Sequence, residues 1–322
     1  MTQKKILITG AAGFIGFHLA QALQARGDLL IGIDNFNDYY SPSLKQKRAD
    51  QLAKLDIPIL ETDIRNALVL EKLVKQYKIT HLVHLAAQAG VRYSLINPQA
   101  YIDSNVTGFL TILEVLKNHP QIKLVYASSS SVYGNNTKVP FSVTDTTDNQ
   151  ASFYGVTKKA NELMAQTYNH LHHLSAIGLR FFTVYGPWGR PDMAYYAFTK
   201  AICEGLPIDV FNNGNMERDF TYIDDIVQGT MAAIDSVKKG KHRIYNLGNH
   251  HPEPLGKMIS LLEKLLKKKA KIHYLPMQPG DVLSTYADIS LSQKELGFHP
   301  KTSLEKGLAQ FVAWYQKGGS KL

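Results

Sequence analysis

The chain has 322 residues, 44% of them hydrophobic and 20% charged, a globular balance that excludes disorder, a collagen-like repeat or a coiled coil as its main architecture. Its one cysteine, Cys203, excludes a disulfide framework and a thiolate-rich zinc or iron–sulfur site, and no apolar run approaches the roughly 20 residues that span a bilayer. The formal charge of +9 divides as +4 over residues 1–158 and +5 over the rest, so neither half is the basic arm of a nucleic-acid binder.

Residues 5–9 read as a buried strand and lead into a glycine turn, Gly10-Ala-Ala-Gly13-Phe-Ile-Gly16. A helical stretch follows over 14–26, with Ile15, Leu19, Ala22 and Leu23 on one face. A second strand over 29–33 ends at Asp34. Strand, glycine turn, helix, strand and acid within about 30 residues make a βαβ unit. Further strands are predicted over 57–60, 80–85, 123–128 and 175–181, with helical patterns over 68–77, 105–117 and 152–171. This alternation predicts an α/β fold, a doubly wound parallel sheet of the Rossmann kind.

After Phe182 the rhythm changes. Residues 183–193 hold Gly186, Pro187, Gly189 and Pro191 and read as loop. A helix over 195–205, a strand over 208–211, a helix over 224–236, a sheet strand over 244–247 and helices over 260–268 and 304–315 follow. We expect a dinucleotide-binding domain over 1–182, rejoined by 219–247, and a smaller C-terminal substrate lobe from 183–218 and 248–322. A ligand is expected in the crevice between them. A reducing, cytoplasmic setting is expected, because residues 1–16 lack the ordered charged, apolar and cleavage regions of a secretory leader.

A dinucleotide pyrophosphate needs backbone N–H groups that approach it without side chains in the way. Gly10 suits the tight turn, Gly13 lets the chain near the phosphates, and Gly16 lets helix and strand pack. Asp34 can accept from both ribose hydroxyls and would repel a 2′-phosphate, which favours NAD over NADP. Asp63 and Ile64 follow the third strand, where an adenine can rest.

Tyr154 and Lys158 stand four apart in a helical pattern and so share a face. A free tyrosine has a pKa of about 10 and is a poor base at neutral pH. A nearby ammonium and a nicotinamide cation favour its phenolate, which can take an alcohol's proton as hydride leaves the same carbon. Upstream, Ser128-Ser129-Ser130-Ser131 ends a strand in a hydroxyl-rich turn. Its hydroxyls can serve a substrate oxygen or simply cap the turn.

Together GAAGFIG, Asp34, Asp63-Ile64, His84-Leu85-Ala86-Ala87, Asn105, SSSSVYG, YGVTK and RDFTYIDD resemble the extended short-chain dehydrogenase/reductases, and within them the nucleotide-sugar 4-epimerases. The segments 34–40 (DNFNDYY), 90–94 (GVRYS) and 180–193 (RFFTVYGPWGRPDM) resemble the branch that acts on UDP-glucuronate. The resemblance implies a tightly held, recycled NAD contacted by Gly10, Gly13, Phe14, Ile15, Gly16, Asp34, Asn35, Asp63, Ile64, Leu85, Ala86, Ala87, Asn105, Tyr154 and Lys158. It implies Tyr154 as base, Lys158 as ribose ligand and tuner of Tyr154, and Ser129 as the partner hydroxyl. A UDP-sugar would be met by Arg92, Ser94, Ser129, Ser130, Ser131, Thr183, Arg190, Arg218, Gln278 and Asp281. The family habit implies a homodimer through the helices over 105–117 and 152–171.

A uronate oxidised at C4 is a β-keto acid and loses CO₂ easily. Related dehydratases and decarboxylases carry a glutamate two residues before the Tyr133 position, where this chain has Ser131. Arg190 can hold the carboxylate through a charge-assisted pair, with Thr183 adding a hydroxyl. The Arg-Pro-Gly-Asp of hexose epimerases is here Gln278-Pro279-Gly280-Asp281. Positive charge for the diphosphate must therefore come from Arg218 and Arg92, with Asp281 directed to the uridine ribose. A UDP-glucose or UDP-N-acetylglucosamine 4-epimerase and a UDP-glucuronate decarboxylase remain the alternatives. No metal is expected: His170, His172 and His173 end a helix, where they favour its dipole. Cys203 is expected in the core, and Lys264, Lys267, Lys268, Lys269 and Lys271 on a solvated face.

Overall fold

A computed structural model of the chain describes residues 3–278 and 280–321. From the N-terminus, β1 (Lys5–Thr9) runs through the glycine turn into α1 (Phe14–Ala25), then β2 (Leu29–Asp34) and α2 (Pro42–Ala53). Next come β3 (Ile59–Glu61), α3 (Ala67–Gln76), β4 (His81–His84) and the short helices α4 (Tyr93–Ile96) and α5 (Pro98–Tyr101). A π-helical stretch over Ile102–Thr107 continues directly into α6 (Gly108–Lys117), followed by β5 (Lys123–Ser129), α7 (Phe153–His172) and β6 (Ser175–Phe181). The C-terminal part holds β7 (Thr183–Tyr185), α8 (Ala194–Glu204), β8 (Pro207–Phe211), β9 (Glu217–Tyr222), α9 (Ile223–Ser236) and β10 (His242–Leu247). It ends with β11 (Pro252–Pro254), α10 (Leu255–Leu266), β12 (Lys271–Leu275), α11 (Ser290–Leu296) and α12 (Leu304–Gln316).

Seven strands form one parallel sheet in the order β10-β6-β5-β4-β1-β2-β3. Every residue of β6 is buried, as expected of a strand covered on both faces. Two apolar cores flank the sheet. One gathers Phe17, Leu19 and Leu23 of α1 with Ile226 and Ile234 of α9, and the other Leu70 of α3 with Ile112 and Leu116 of α6. Each such fully buried aliphatic side chain contributes roughly 1.5–3 kcal/mol. Strand order reverses at β1, which has β2 on one side and β4 on the other. A crevice therefore opens past the carboxyl ends of these strands. Beyond this sheet, β11-β9-β7 make a three-stranded sheet and β12-β8 a parallel pair.

The differences from the sequence reading have identifiable causes. Residues 183–185 are strand rather than loop, because Thr183, Val184 and Tyr185 pair with Phe220, Thr221 and Tyr222. That partner lies far along the chain and leaves no local periodicity. The third strand is shorter and later than 57–60, since Gly32 pairs with Ile59 and Asp34 with Glu61. The helix expected over 260–268 begins at Leu255, where Met258 and Ile259 are buried on the same face as Leu262 and Leu266. Cys203 is half-buried against the main core, and burial pushes its thiol upward. Among the described residues no group of three or more His, Cys, Asp or Glu could hold a metal, and no helix is long and apolar enough to cross a membrane.

Candidate active site

The crevice receives the glycine turn from one side. Gly10 has φ +71°, and a Cβ there would lie 2.7 Å from the Ala86 nitrogen, so turn and strand end need a glycine to approach. Gly13 is the N-cap of α1 and brings no side chain to cap it. The Gly13 N–H turns back to the Gly10 carbonyl (3.0 Å), while helix geometry leaves the first-turn N–H groups, Phe14 and Ile15 among them, without intrahelical acceptors. Gly13, Phe14 and Ile15 line the crevice, where an anion-binding helix N-terminus belongs. Asp34 lies at the end of β2 and accepts from the Ala12 N–H (3.1 Å) and the Phe36 N–H (3.0 Å). Burial raises its pKa, against the pull of those bonds and of Lys45 and Arg48. Asn35 donates to Asp63 (3.1 Å). Burial works to raise the Asp63 carboxyl, but hydrogen bonds from Arg65 and Asn35 hold it below its ordinary value. Leu85, Ala86, Ala87 and Ile64 close this half of the wall. A bare turn, a free helix N-terminus and a buried acid at the next strand's end fit the pyrophosphate and ribose of NAD.

The acid/base group stands at the middle of the crevice. Ser152 caps α7 by accepting from the Gly155 N–H (3.1 Å), which fixes where the helix begins and hence where Tyr154 projects. Lys158, one turn on, is buried and donates to the Ala127 carbonyl at 2.9 Å. Burial brings its pKa down to about 8. Burial pushes the Tyr154 phenol up, while a hydrogen bond from Ser129 and the charge of Arg190 pull it down. The groups favouring the phenolate are thus Ser129 and Arg190, whereas Lys158 directs one of its three N–H donors to β5. Ser129 accepts from the Ser131 N–H (3.1 Å) and donates to the Ser131 hydroxyl (3.2 Å), so the serine turn holds itself in shape.

Thr183, Arg190, Arg218 and Asp281 line the far wall, with Ser130 and Ser131 beside them. Arg190 Nε and Nη2 donate to the two oxygens of Asp192 at 3.0 and 2.5 Å, and the Tyr39 hydroxyl donates to the same carboxylate at 3.1 Å. The bidentate edge of Arg190 is therefore already committed, and an incoming carboxylate would meet its Nη1 side. Burial acts to lower the Arg190 pKa, but Asp192 outweighs it and drives the pKa upward. Arg92 stacks over Phe211 (4.2 Å) and pairs with Asp281 at 3.0 Å.

Four expected residues stand outside the crevice wall. Asn105 is buried behind Gln88, bonded to its N–H (2.8 Å) and to the Thr157 hydroxyl (3.0 Å). Ser94 accepts from the Tyr154 N–H (3.1 Å) and donates to the Val91 carbonyl (2.6 Å), so it steadies the start of α7. Arg92 reaches the site through Asp281, and Gln278 contributes a carbonyl that accepts from the Asp281 N–H (3.2 Å). Pro279 lies outside the described residues. Sequence reasoning missed Asp192, Tyr39, Lys45 and Arg48. One signal within reach was Arg48 sharing a helical face with Leu44 and Leu52, where a charge is out of place, and Tyr39 and Asp192 lie within the segments 34–40 and 180–193.

This fold and this site define a nucleotide-dependent enzyme of the Rossmann type, and the chain belongs to the NAD dependent epimerase/dehydratase family, which matches residues 6–248. It is 54% identical over 326 residues to UDP-glucuronate 4-epimerase 4 of Arabidopsis thaliana, spanning 96% of this chain and 75% of that protein. It is 46% identical over 327 residues to Protein CapI of Staphylococcus aureus, spanning 97% of this chain and 98% of that one. Among solved structures it is similar to the UDP-glucuronic acid 4-epimerase from Bacillus cereus in complex with UDP-glucuronic acid and NAD. That likeness has a TM-score of 0.91 and 36% identity over 97% of this chain and 99% of that chain. It is also similar to the UDP-glucose 4-epimerase of Thermotoga maritima with UDP-glucose, with a TM-score of 0.88 and 28% identity over 97% and 99%.

Proposed function

We propose that the protein is an NAD-dependent 4-epimerase that interconverts UDP-glucuronate and UDP-galacturonate. The observation that carries this is the placing of Arg190 and Thr183 in the same crevice as Tyr154 and Ser129, with the Arg190 charge acting on the Tyr154 phenol. NAD bound on the glycine turn supplies a reversible hydride store. Tyr154 takes the proton of the sugar 4-OH and returns it after inversion. Ser129 holds the same oxygen by a hydrogen bond that changes no charge. Lys158 holds the ribose hydroxyls and favours the phenolate once they are bound. Arg218 supplies positive charge for the diphosphate, so the 4-keto sugar turns while its nucleotide end stays fixed. Arg190 and Thr183 hold the carboxylate near the ring plane, which keeps its C–C bond misaligned for loss of CO₂.

Purified protein incubated with UDP-glucuronate and no added NAD tests this reading by NMR and mass. UDP-galacturonate of unchanged mass supports it. A product lighter by CO₂ shows that the β-keto acid is unprotected. Replacing Arg190 by alanine should raise KM strongly for the uronate, and an unchanged KM removes Arg190 from that role. The Asp192 pairing, which tempers the Arg190 charge, favours a second reading: a neutral UDP-hexose or its N-acetyl form as an additional substrate. We further propose a substrate lobe formed by 183–218 and 248–322, a dinucleotide domain formed by 1–182 and 219–247, a cytoplasmic location, and a homodimer through α6 and α7. Those helices expose Leu110, Val156 and Leu163.

A further inference from the structure

We infer that Arg48 is a positioning residue that ties the dinucleotide turn to the loop carrying Arg190, so that cofactor retention and recognition of the sugar's acidic end depend on one buried guanidinium. The second half rests on the role given to Arg190 above.

Arg48 projects from the buried face of α2, between Leu44 and Leu52, and is 0% exposed. A charge so placed is tolerated only when its donors are met. Each N–H of this guanidinium has an acceptor. Nε donates to the Trp188 carbonyl (3.1 Å), and Nη2 to the same oxygen (2.6 Å) and to the Gly189 carbonyl (3.2 Å). Nη1 donates to the Ala12 carbonyl (3.0 Å) and the Tyr40 hydroxyl (2.8 Å). The acceptors are neutral oxygens from three separate stretches of chain. A fold that needed only to bury this helix face would place an aliphatic residue there, as it does at Leu44 and Leu52.

What the acceptors belong to gives the arrangement its consequence. The Ala12 carbonyl is part of the peptide that enters Gly13, the N-cap whose helix offers its N–H groups to phosphate. The Gly189 carbonyl is part of the peptide that enters Arg190. Trp188 holds a left-handed backbone at φ +58°, which a bulky residue adopts only when its surroundings enforce it. Two N–H groups on its carbonyl are such an enforcement. A Cβ on Gly189 would lie 1.7 Å from the Tyr195 hydroxyl, so the Tyr195 ring packs directly against the backbone of this loop. The charge also reaches Asp34, the ribose acid, across space.

The test compares Arg48→Lys, Arg48→Met and, as a packing control from the same helix face, Leu52→Ala. Three quantities are read: NAD carried through purification, thermal midpoint, and KM for UDP-glucuronate against KM for UDP-glucose at saturating NAD. Both Arg48 variants should lose retained NAD and raise the uronate KM by about tenfold or more, with a much smaller change for the neutral sugar. Lysine, a point charge with fewer donors, should restore only part. Leu52→Ala should lower the thermal midpoint and leave retained NAD and the ratio of the two KM values near wild type. Arg48 variants that behave like Leu52→Ala overturn the proposal. Should the Arg48 variants not fold, Tyr40→Phe removes one acceptor and should shift the same two readouts less; no shift in either overturns it. If the wild type turns over only neutral sugars, the reading of Arg190 fails, while retained NAD still decides the role of Arg48.

Discussion

Glu162 accepts from Arg180 through both carboxylate oxygens at 2.8 Å each, one helical turn beyond Lys158, with each side chain 3% exposed. The same carboxylate accepts from the Ser128 hydroxyl at 2.6 Å. Lys158 reaches Ala127 and Glu162 reaches Ser128, so α7 is fastened to β5 on two successive turns, immediately before Ser129. The register between Ser129 and Tyr154 follows from this clamp.

Breaking the clamp from one side leaves a buried cation without its partner. Glu162→Ala should cost about 3–5 kcal/mol of unfolding free energy, read from urea titration. The double replacement Glu162→Leu with Arg180→Met should recover much of it, because two well-packed apolar groups replace two desolvated charges. A single variant losing under about 1 kcal/mol would mean that the pair is not buried as described.

Lys158 is held in its charged form at a cost to the fold. Burial lowers its pKa from 10.5 to about 8. Between those values the unfolded chain binds more protons than the folded one, so stability attributable to Lys158 rises with pH from about 8 to 10.5 and is at its lowest below about 8. Lys158→Met should therefore be inactive yet more stable near neutral pH, by an amount on the order of 3 kcal/mol. The stability difference between wild type and variant should shrink across that window. A difference that stays constant with pH would contradict this account.

Tyr154→Phe removes the phenol and keeps the helix, its Ser152 cap and Lys158. Turnover should fall by about 10²–10⁴, while retained NAD and KM change little. Steady-state rates together with NAD content of the purified variant decide this. A loss under about tenfold would point to another base.

The main sheet is legible in the sequence because each strand is a short apolar run bounded by turn residues, and β6 matches its predicted bounds at 175–181. The glycine turn, Asp34 and the Tyr154–Lys158 pair are legible because their chemistry requires fixed local spacings. What stays hidden depends on distant partners. β7 exists only because β9 lies beside it, and Asp192 gains its role only once Arg190 and Tyr39 fold against it. The upward push on the Tyr154 phenol comes from burial, which no motif encodes.

Gly16 offers the sharpest test of the turn. It lies in α1 with an ordinary helical backbone, where replacing glycine by alanine normally stabilises a helix by about 0.5–1 kcal/mol. Here the added Cβ would lie 2.2 Å from the Gly10 carbonyl oxygen and 3.0 Å from the Ala11 Cα. Both are backbone atoms of the turn, so relief must come from separating α1 from β1. That separation moves Gly13 and the helix N-terminus away from where a pyrophosphate is held. Gly16→Ala should therefore lower the thermal midpoint and yield protein with little retained NAD, and excess NAD should restore only part of the activity. A variant as stable as wild type with full NAD content would show that the turn can open without cost and that Gly16 is not what holds helix and strand together.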